Sequence, residues 1–444
     1  MNKELGFSKS KWFVLVLFGL IGQIAWSVEN MYFNLFVFDT IAPSLDTITL
    51  MVQLSGVTAT VVTLIAGTLS DKLGNRKSFI SWGYIIWGFT IAIFGFIAPE
   101  RIAKLFDLGL ASAVSVSLVL VVVADCVMTV FGSSANDAAF NAWVTDNTES
   151  SYRGKVEGIL SILPLVALLI VAGLFGIIVG AIGYDMMFLA LGIVISLSGI
   201  LGLLYIKDKR TLQRNGSMKD IFHGFRPSVI KSNSPFYVSL LIILVYGIAC
   251  QIFMPYMIIY MNRYLGFGVI EYSAVFAIAI LLGAGINLYL ARLSDKLNKA
   301  KLLFVSSGVM SAGLFFMYFA DTESKILNLI LFGIAGFVMI TGYIFTAALT
   351  GSTLRDYTPE GETGKLQGVR MVFSVLIPML IGPMIGNAIN KAKGLPLLDE
   401  GSADTMTTAY IPAPEIFLAA ALAMLVIFSI IPFLLKVTDK KKGK

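Results

Sequence analysis

Long apolar stretches separated by short polar ones run through the whole chain. Twelve are long enough to cross a bilayer, near residues 12–40, 46–69, 78–98, 111–143, 156–181, 186–206, 236–262, 270–291, 302–320, 326–352, 366–390 and 414–436. A spanning helix needs about 20 apolar residues, and these runs are continuous rather than alternating, which predicts helices and not a barrel. Polar residues inside them fall in rows. Gln23, Ser27, Asn30 and Asn34 are spaced four, three and four, so they share one helix face. In the fourth segment Asp125, Thr129, Ser133, Asp137 and Asn141 recur at every fourth residue, a row that drifts by about 40° per step. The seventh segment has Gln251, Tyr256 and Tyr260 beside Pro255, and the tenth has Tyr343, Thr346, Thr350 and Thr353. The pattern predicts an all-α membrane protein whose first, fourth, seventh and tenth helices turn polar faces away from lipid.

The pattern is written twice. Ser70-Asp71-Lys72-Leu73-Gly74-Asn75-Arg76-Lys77 returns at Ser294-Asp295-Lys296-Leu297-Asn298-Lys299-Ala300-Lys301, and Tyr32 stands as far before Asp71 as Tyr256 does before Asp295. One offset, 224, relates them. A second, 210, carries Asp146, Thr148, Gly154, Lys155 and Gly158 onto Asp356, Thr358, Gly364, Lys365 and Gly368. A repeat of this length means a duplicated bundle: six helices in 1–206, a linker over 207–235, and six helices plus a basic tail in 236–444. Within the linker, Ile221, Phe222 and Phe225 suggest a short interfacial helix. His223, the sole histidine, reads as an exposed linker residue and not a proton relay.

Composition agrees. The chain is 57% hydrophobic and 14% charged, with a mean hydropathy of +0.84, against about 25% charged for soluble domains. The first apolar run exceeds the 7–15 residues or so of a signal-peptide core and carries Glu29, so it is read as a mature helix. Cys126 and Cys250 both fall inside predicted helices, which suggests neither a disulfide framework nor a metal site. The Lys and Arg residues divide 26 to six between the two sides of the bilayer, with Arg370 inside a helix; the positive-inside rule puts both termini in the cytoplasm. The net charge of +6 therefore describes a cytoplasmic rim facing lipid, and nucleic acid is not an expected partner.

Ionisable residues within a membrane are costly and default to functional candidates. Glu29 and Asp125 each lie about 26 Å from the inner end of their helices at 1.5 Å per residue, so the two carboxyls share a layer and are candidates to carry a coupling proton or cation. Asp137 and Arg370 lie nearer the inner surface. Gln23, Asn30, Asn34, Asp137, Asn141, Gln251, Tyr256, Tyr343 and Thr346 are the candidate solute ligands, because aligned amides and hydroxyls supply directional hydrogen bonds. No ATP engine is visible: Gly154-Lys155 and Gly364-Lys365 are followed by Val156 and Leu366, and Glu149 and Pro359 stand where a P-loop needs its first glycine. No catalytic constellation, cofactor or metal is expected, and movement must draw on an ion or solute gradient.

Gly67-x-x-x-Asp71-Lys72-x-Gly74-Asn75-Arg76-Lys77 between the second and third helices resembles the signature of the major facilitator superfamily, with Asn75 off pattern and the copy at Asp295 lacking the central glycine. The resemblance covers essentially the whole chain and implies a monomeric, multi-pass transporter of the cell membrane. It also implies an inner gate in which Asp71, with Arg76, faces Arg370 at the start of the eleventh helix, and pseudo-symmetry sets Asp295 opposite Arg153 or Lys155. Gln23-x-x-Trp26 and the acids and asparagines of the fourth helix look like the glycoside-pentoside-hexuronide cation symporters and their sucrose-transporter relatives, which implies a sugar or glycoside. The second helix has no acid between Leu50 and Leu69, where melibiose-type members bind a cation, so a proton is expected before sodium. Export of amphipathic or lipid-like compounds, or a receptor that transports nothing, are the alternatives.

Overall fold

A computed structural model describes residues 8–148, 153–208, 223–294, 298–359, 363–397 and 409–442. The chain forms α1 (Lys9–Ile41), α2 (Leu45–Leu73), α3 (Arg76–Phe94) and α4 (Leu110–Asn147). Helices α5 and α6 share 153–205 and divide at Gly183, whose φ of 78° no side-chain-bearing residue adopts readily. Then come α7 (Ser234–Tyr264), α8 (Val269–Ser294), α9 (Lys299–Tyr318), α10 (Lys325–Tyr357), α11 (363–393) and α12 (Glu415–Lys442). Between the last two, β1 (Leu395–Leu397) pairs antiparallel with β2 (Ala409–Ile411). Among the described residues eleven continuous apolar runs are long enough to cross a membrane, and the longest, Gly158–Tyr205, is two crossings joined at Gly183. That makes twelve.

Local chemistry fixes the helix starts. Asn75 and Asn298 cap α3 and α9 by accepting the backbone N–H of Ser78 (3.0 Å) and Ala300 (2.9 Å), so the repeated loop ends in the same device twice. Wide π-turns interrupt the helices that carry polar rows: Glu29–Phe33 and Val37–Ile41 in α1, Ser133–Phe140 in α4 and Tyr260–Tyr264 in α7. Others lie at Val171–Phe175 in α5 and Val372–Leu376 in α11, and a 3-10 turn at Met254–Tyr256 accommodates Pro255. Offset 224 carries 37–41 to within one residue of Tyr260–Tyr264. The duplication therefore extends to the irregular turns.

The chain divides into two compact units, Met1–Ala42 with Val57–Asp220, and Pro43–Gly56 with Ile221–Lys444. The first dozen residues of α2 thus group with the second unit and the rest of that helix with the first. In the first unit α3 packs along α6 with backbone nearly touching backbone: a Cβ on Gly192 would collide with the Gly88 carbonyl. Small residues permit this approach, which lets van der Waals packing and interhelical bonds hold helices together where lipid is as apolar as leucine. Ser196 Oγ then donates to the Ile85 carbonyl across the gap (2.9 Å). The second unit answers with Ser311 Oγ donating to the Ala421 carbonyl between α9 and α12 (2.9 Å). At one end of that unit Phe236, Leu240, Leu354, Leu366 and Val369 form an apolar cluster. A turn at 223–225 and a six-residue helix, Pro227–Ser232, lead into it, and the Tyr237 hydroxyl donates to the Gly224 carbonyl. Of the residues expected to form an interfacial helix here, Ile221 and Phe222 lie outside the described residues.

Candidate functional site

In the first unit the chemistry lies on α1 and α4. Glu29 opens a π-turn, a distortion that recurs at functional sites, and its side chain is 8% exposed; Asp125 is 1% exposed. Both carboxyls act electrostatically on Cys126, whose sulfur is hydrogen-bonded to the Thr58 side chain of α2, so each lies near that thiol. Thr58 and Cys126 were not expected there. Asp125 Oδ1 is buried without a hydrogen-bond partner, and neither α1 beyond Lys11 nor α4 contains a basic residue. A charge buried without pairing is costly.

One and a half turns or more further along α4 the polar row becomes a second cluster. Ser133 Oγ donates to Asp137 Oδ2 (3.0 Å), with Trp26 and Asn136 beside the same carboxyl. The Tyr84 hydroxyl lies 3.0 Å from Asn136 Oδ1 and 2.8 Å from the Phe18 carbonyl. Gly22 leaves the room: a Cβ there would sit 2.6 Å from Asn136 Oδ1 and 2.7 Å from the Tyr84 oxygen. Trp26 and Trp87 lie 4.9 Å apart between ring centroids, over Gly132. Indoles, a carboxylate, an amide and a hydroxyl are the groups that hold a solute with an apolar face and hydroxyl edges. Asn136 and Tyr84 escaped the sequence reading because Asn136 stands one place off the row.

The other amides of this unit behave differently. Asn30 is exposed and donates to the Trp26 carbonyl (2.7 Å), Asn34 is buried and donates to the Asn30 carbonyl (3.1 Å), and Asn141 is exposed and donates to the Asp137 carbonyl (3.0 Å). Each satisfies its own helix. Gln23 is half-buried.

In the second unit two expected ligands are packing groups. Thr346 is fully buried and donates to Ser306 Oγ on α9 (3.0 Å). Tyr256 is also fully buried, its hydroxyl 2.7 Å from Thr49 Oγ1 and 3.0 Å from the Pro383 carbonyl. Buried hydroxyls take such partners because an unpaired one is penalised, and these two are corrected accordingly. Tyr256 belongs to a set that ties residues 43–56 to α11: Asn387 Nδ2 donates to Asp46 Oδ1 (2.7 Å), Lys391 Nζ pairs with the same oxygen (2.7 Å), and Gln53 Nε2 donates to the Leu380 carbonyl (2.9 Å). Tyr256→Phe should lower stability by about 1–3 kcal/mol, the cost of leaving a buried partner unpaired. Thermal unfolding in detergent measures it; unchanged stability with weakened solute binding would return Tyr256 to the ligand set. Gln251 and Tyr343 keep partial exposure. Gln251 packs on Gly382, where a Cβ would collide with it, and Tyr343 bonds with Tyr246, which also bonds Cys250.

At the rim formed by the repeated loop, Arg76 Nε pairs with Asp146 Oδ2 (3.1 Å) and its Nη1 donates to Ser70 Oγ (2.5 Å). In the second unit Lys299 Nζ, one residue from the position offset 224 predicts, pairs with Asp356 Oδ2 (2.5 Å) and donates to Ser352 (2.5 Å). A partner of Arg76 that the sequence did not suggest is therefore Asp146, the residue that opens the second echo. The side chains of Asp71 and Arg153, and all of Asp295, lie outside the described residues; Lys155 and Arg370 are exposed. Asp208 Oδ1 accepts the Lys77 backbone N–H (3.0 Å); burial pushes its carboxyl above the ordinary value, against the lowering effect of its bonds to the Lys77 and Arg76 backbone. Among the described residues no group of three or more His, Cys, Asp or Glu is placed to hold a metal ion.

Comparison with known proteins adds three findings. A family model described as Major Facilitator Superfamily matches residues 12–383. Among solved structures, a crystal structure of the nucleoside transporter NupG superposes with a TM-score of 0.67 at 12% identity, covering 95% of this chain and 99% of that one. A bacterial homologue of the human lysosomal transporter Spinster, crystallised inward-facing and occupied, gives 0.65 at 15% identity, covering 97% and 98%. At such identities the likeness shows the fold alone. No curated protein matches the sequence.

Proposed function

Because this chain belongs to the Major Facilitator Superfamily, and is accordingly a multi-pass membrane transporter rather than an enzyme, we propose that it carries a hydroxyl-rich organic solute, a sugar or glycoside, by alternating access coupled to protons. The observation that carries this reading is the pairing, in one unit, of two layers along α1 and α4, the second completed by α3: Glu29 with Asp125, and Asp137 with Asn136, Trp26 and the α3 residues Tyr84 and Trp87. A carboxyl pair with no basic residue on α4 or on α1 beyond Lys11 suits a proton as the coupling ion. The second layer suits a solute that offers hydroxyls to Asp137 and a flat face to Trp26, both half-buried, with the buried Asn136, Tyr84 and Trp87 holding them from behind. Gln23 and Asn141 on the same helices, and Gln251 and Tyr343 on α7 and α10, are the further ligands of this proposal. The Lys and Arg distribution supports an orientation with both termini cytoplasmic, and the proposal takes the protein as a monomer of the cell membrane.

A nucleoside meets the same description, with a ribose for the polar groups and a base for the indoles, and NupG is a nucleoside transporter of the same fold. Purified protein in proteoliposomes, offered a panel of labelled sugars, glycosides and nucleosides with and without an inward proton gradient, tests both. Accumulation of at least one member should need the gradient, vanish with a protonophore and ignore a sodium gradient. Uptake of none, with gradient-driven movement of amphipathic dyes instead, would replace the proposal with the export reading.

A further inference from the structure

The first unit carries an element the repeat lacks. Between α3 and α4 the chain forms an eight-residue helix, Pro99–Phe106, whereas the matching connection, from α9 to α10, passes from Phe319 to Ser324 without one. Pro99 occupies its first turn, and Asp107 ends it in the left-handed region at φ 51°. At about 100° per residue, Pro99, Ile102, Leu105 and Phe106 share one sector of its surface, and Glu100, Arg101 and Lys104 the opposite one. Only part of the apolar sector is used by the fold. Pro99 and Ile102 are buried, but Leu105 is 73% and Phe106 55% exposed. The orientation is held from the polar side, because Arg101 donates to the Gly95 carbonyl and pairs with Asp185 of α6.

The exposed edge continues an interface the chain already has. On α3, Phe89 and Ile93, at i and i+4, are exposed apolar residues, Phe96 in the turn just after the helix is exposed too, and so is Leu110 in the first turn of α4, a stripe that leads up to this connection and away from it. In a chain that spans the bilayer this stripe faces lipid. We propose that Pro99–Phe106 is a membrane-interface helix whose Leu105 and Phe106 enter the acyl region, with Glu100 and Lys104 among the headgroups. Glu100, Arg101, Lys104 and Asp107 sum to no net charge, so the partner is the bilayer itself and not an anionic lipid. Apolar area drives such insertion, typically to about 5–10 Å. The helix thereby ties α3, α4 and α6 to the membrane surface at the end of the unit far from Arg76.

Nitroxide labels on Glu100→Cys, Lys104→Cys, Leu105→Cys and Phe106→Cys, in a chain whose Cys126 and Cys250 are replaced by alanine, read the depth. Power saturation is measured in phosphatidylcholine liposomes with and without phosphatidylglycerol. Labels at 105 and 106 should favour oxygen over a water-soluble nickel chelate by about tenfold relative to 100 and 104, in both compositions. Equal nickel accessibility at all four sites would overturn the proposal, and so would a depth profile that appears only with phosphatidylglycerol. Should the cysteine-free chain not fold, Phe106→Trp in the native background gives the same answer: brominated acyl chains should quench more fluorescence than in the parent, and no added quenching refutes insertion.

Discussion

Replacing Asp125 by asparagine should abolish uphill solute accumulation, dropping the inside-to-outside ratio to about one, while exchange of solute across the membrane continues. Glu29→Gln should do the same if the two carboxyls share the coupling proton. Each amide keeps the shape of the side chain it replaces but cannot take up and release a proton, so binding and movement survive and only the link to the gradient is lost. The physical ground is burial without compensation: Asp125 is 1% exposed with an oxygen that bonds to nothing, and an ionised carboxylate in that setting is stabilised by whatever neutralises it. A role in packing alone predicts the reverse signature, lower thermal stability with coupling intact. Full gradient-driven accumulation in both variants would remove the acidic layer from the mechanism.

The second large effect separates two ion pairs that the repeat makes equivalent. Asp146→Ala should destabilise the protein by about 1.5–3 kcal/mol, the range for a hydrogen bond to a charged group, because it removes one partner of a guanidinium whose side chain is only 5% exposed. Asp356→Ala, its counterpart at offset 210, should cost about 0–1 kcal/mol, the range for solvent-exposed pairs, since Lys299 and Asp356 are 31% and 52% exposed. Denaturant unfolding of each variant in the same detergent compares them directly. Equal losses would mean that burial does not distinguish the two rims.

The contrast shows how far the sequence reaches. Asp146 and Asp356 were found as letters in an echo, and the echo is real in space, since each acid meets a base from the loop repeated at the other offset. Which acid Arg76 or Lys299 would meet was not legible: Asp71 is nearer in sequence to Arg76, and partner choice depends on the path of the following helices, which no spacing states. The row from Asp125 to Asn141 was legible as a face. Ser133 and Asp137 bond at the i, i+4 spacing that makes side chains neighbours on one face, here within the π-turn Ser133–Phe140. The same turn brings Asn136 to Tyr84, a contact invisible to a period of 3.6. Thr346 and Tyr256 failed as ligands for a simpler reason. A hydroxyl on a polar row reads the same whether it faces a solute or the neighbouring helix.

The division of α2 bears on what counts as half of this molecule. A cut in the linker between 209 and 220 would separate the two sequence repeats but not the two compact units, because residues 43–56 are encoded in the first repeat and packed in the second. Made alone, 221–444 would present the Tyr256 hydroxyl, Asn387 and Lys391 without Thr49 and Asp46, and 1–220 would carry a helix end stripped of the same bonds. The gene's midpoint is not a seam in the fold, and fragments that complement one another would have to exchange this segment as a swapped arm.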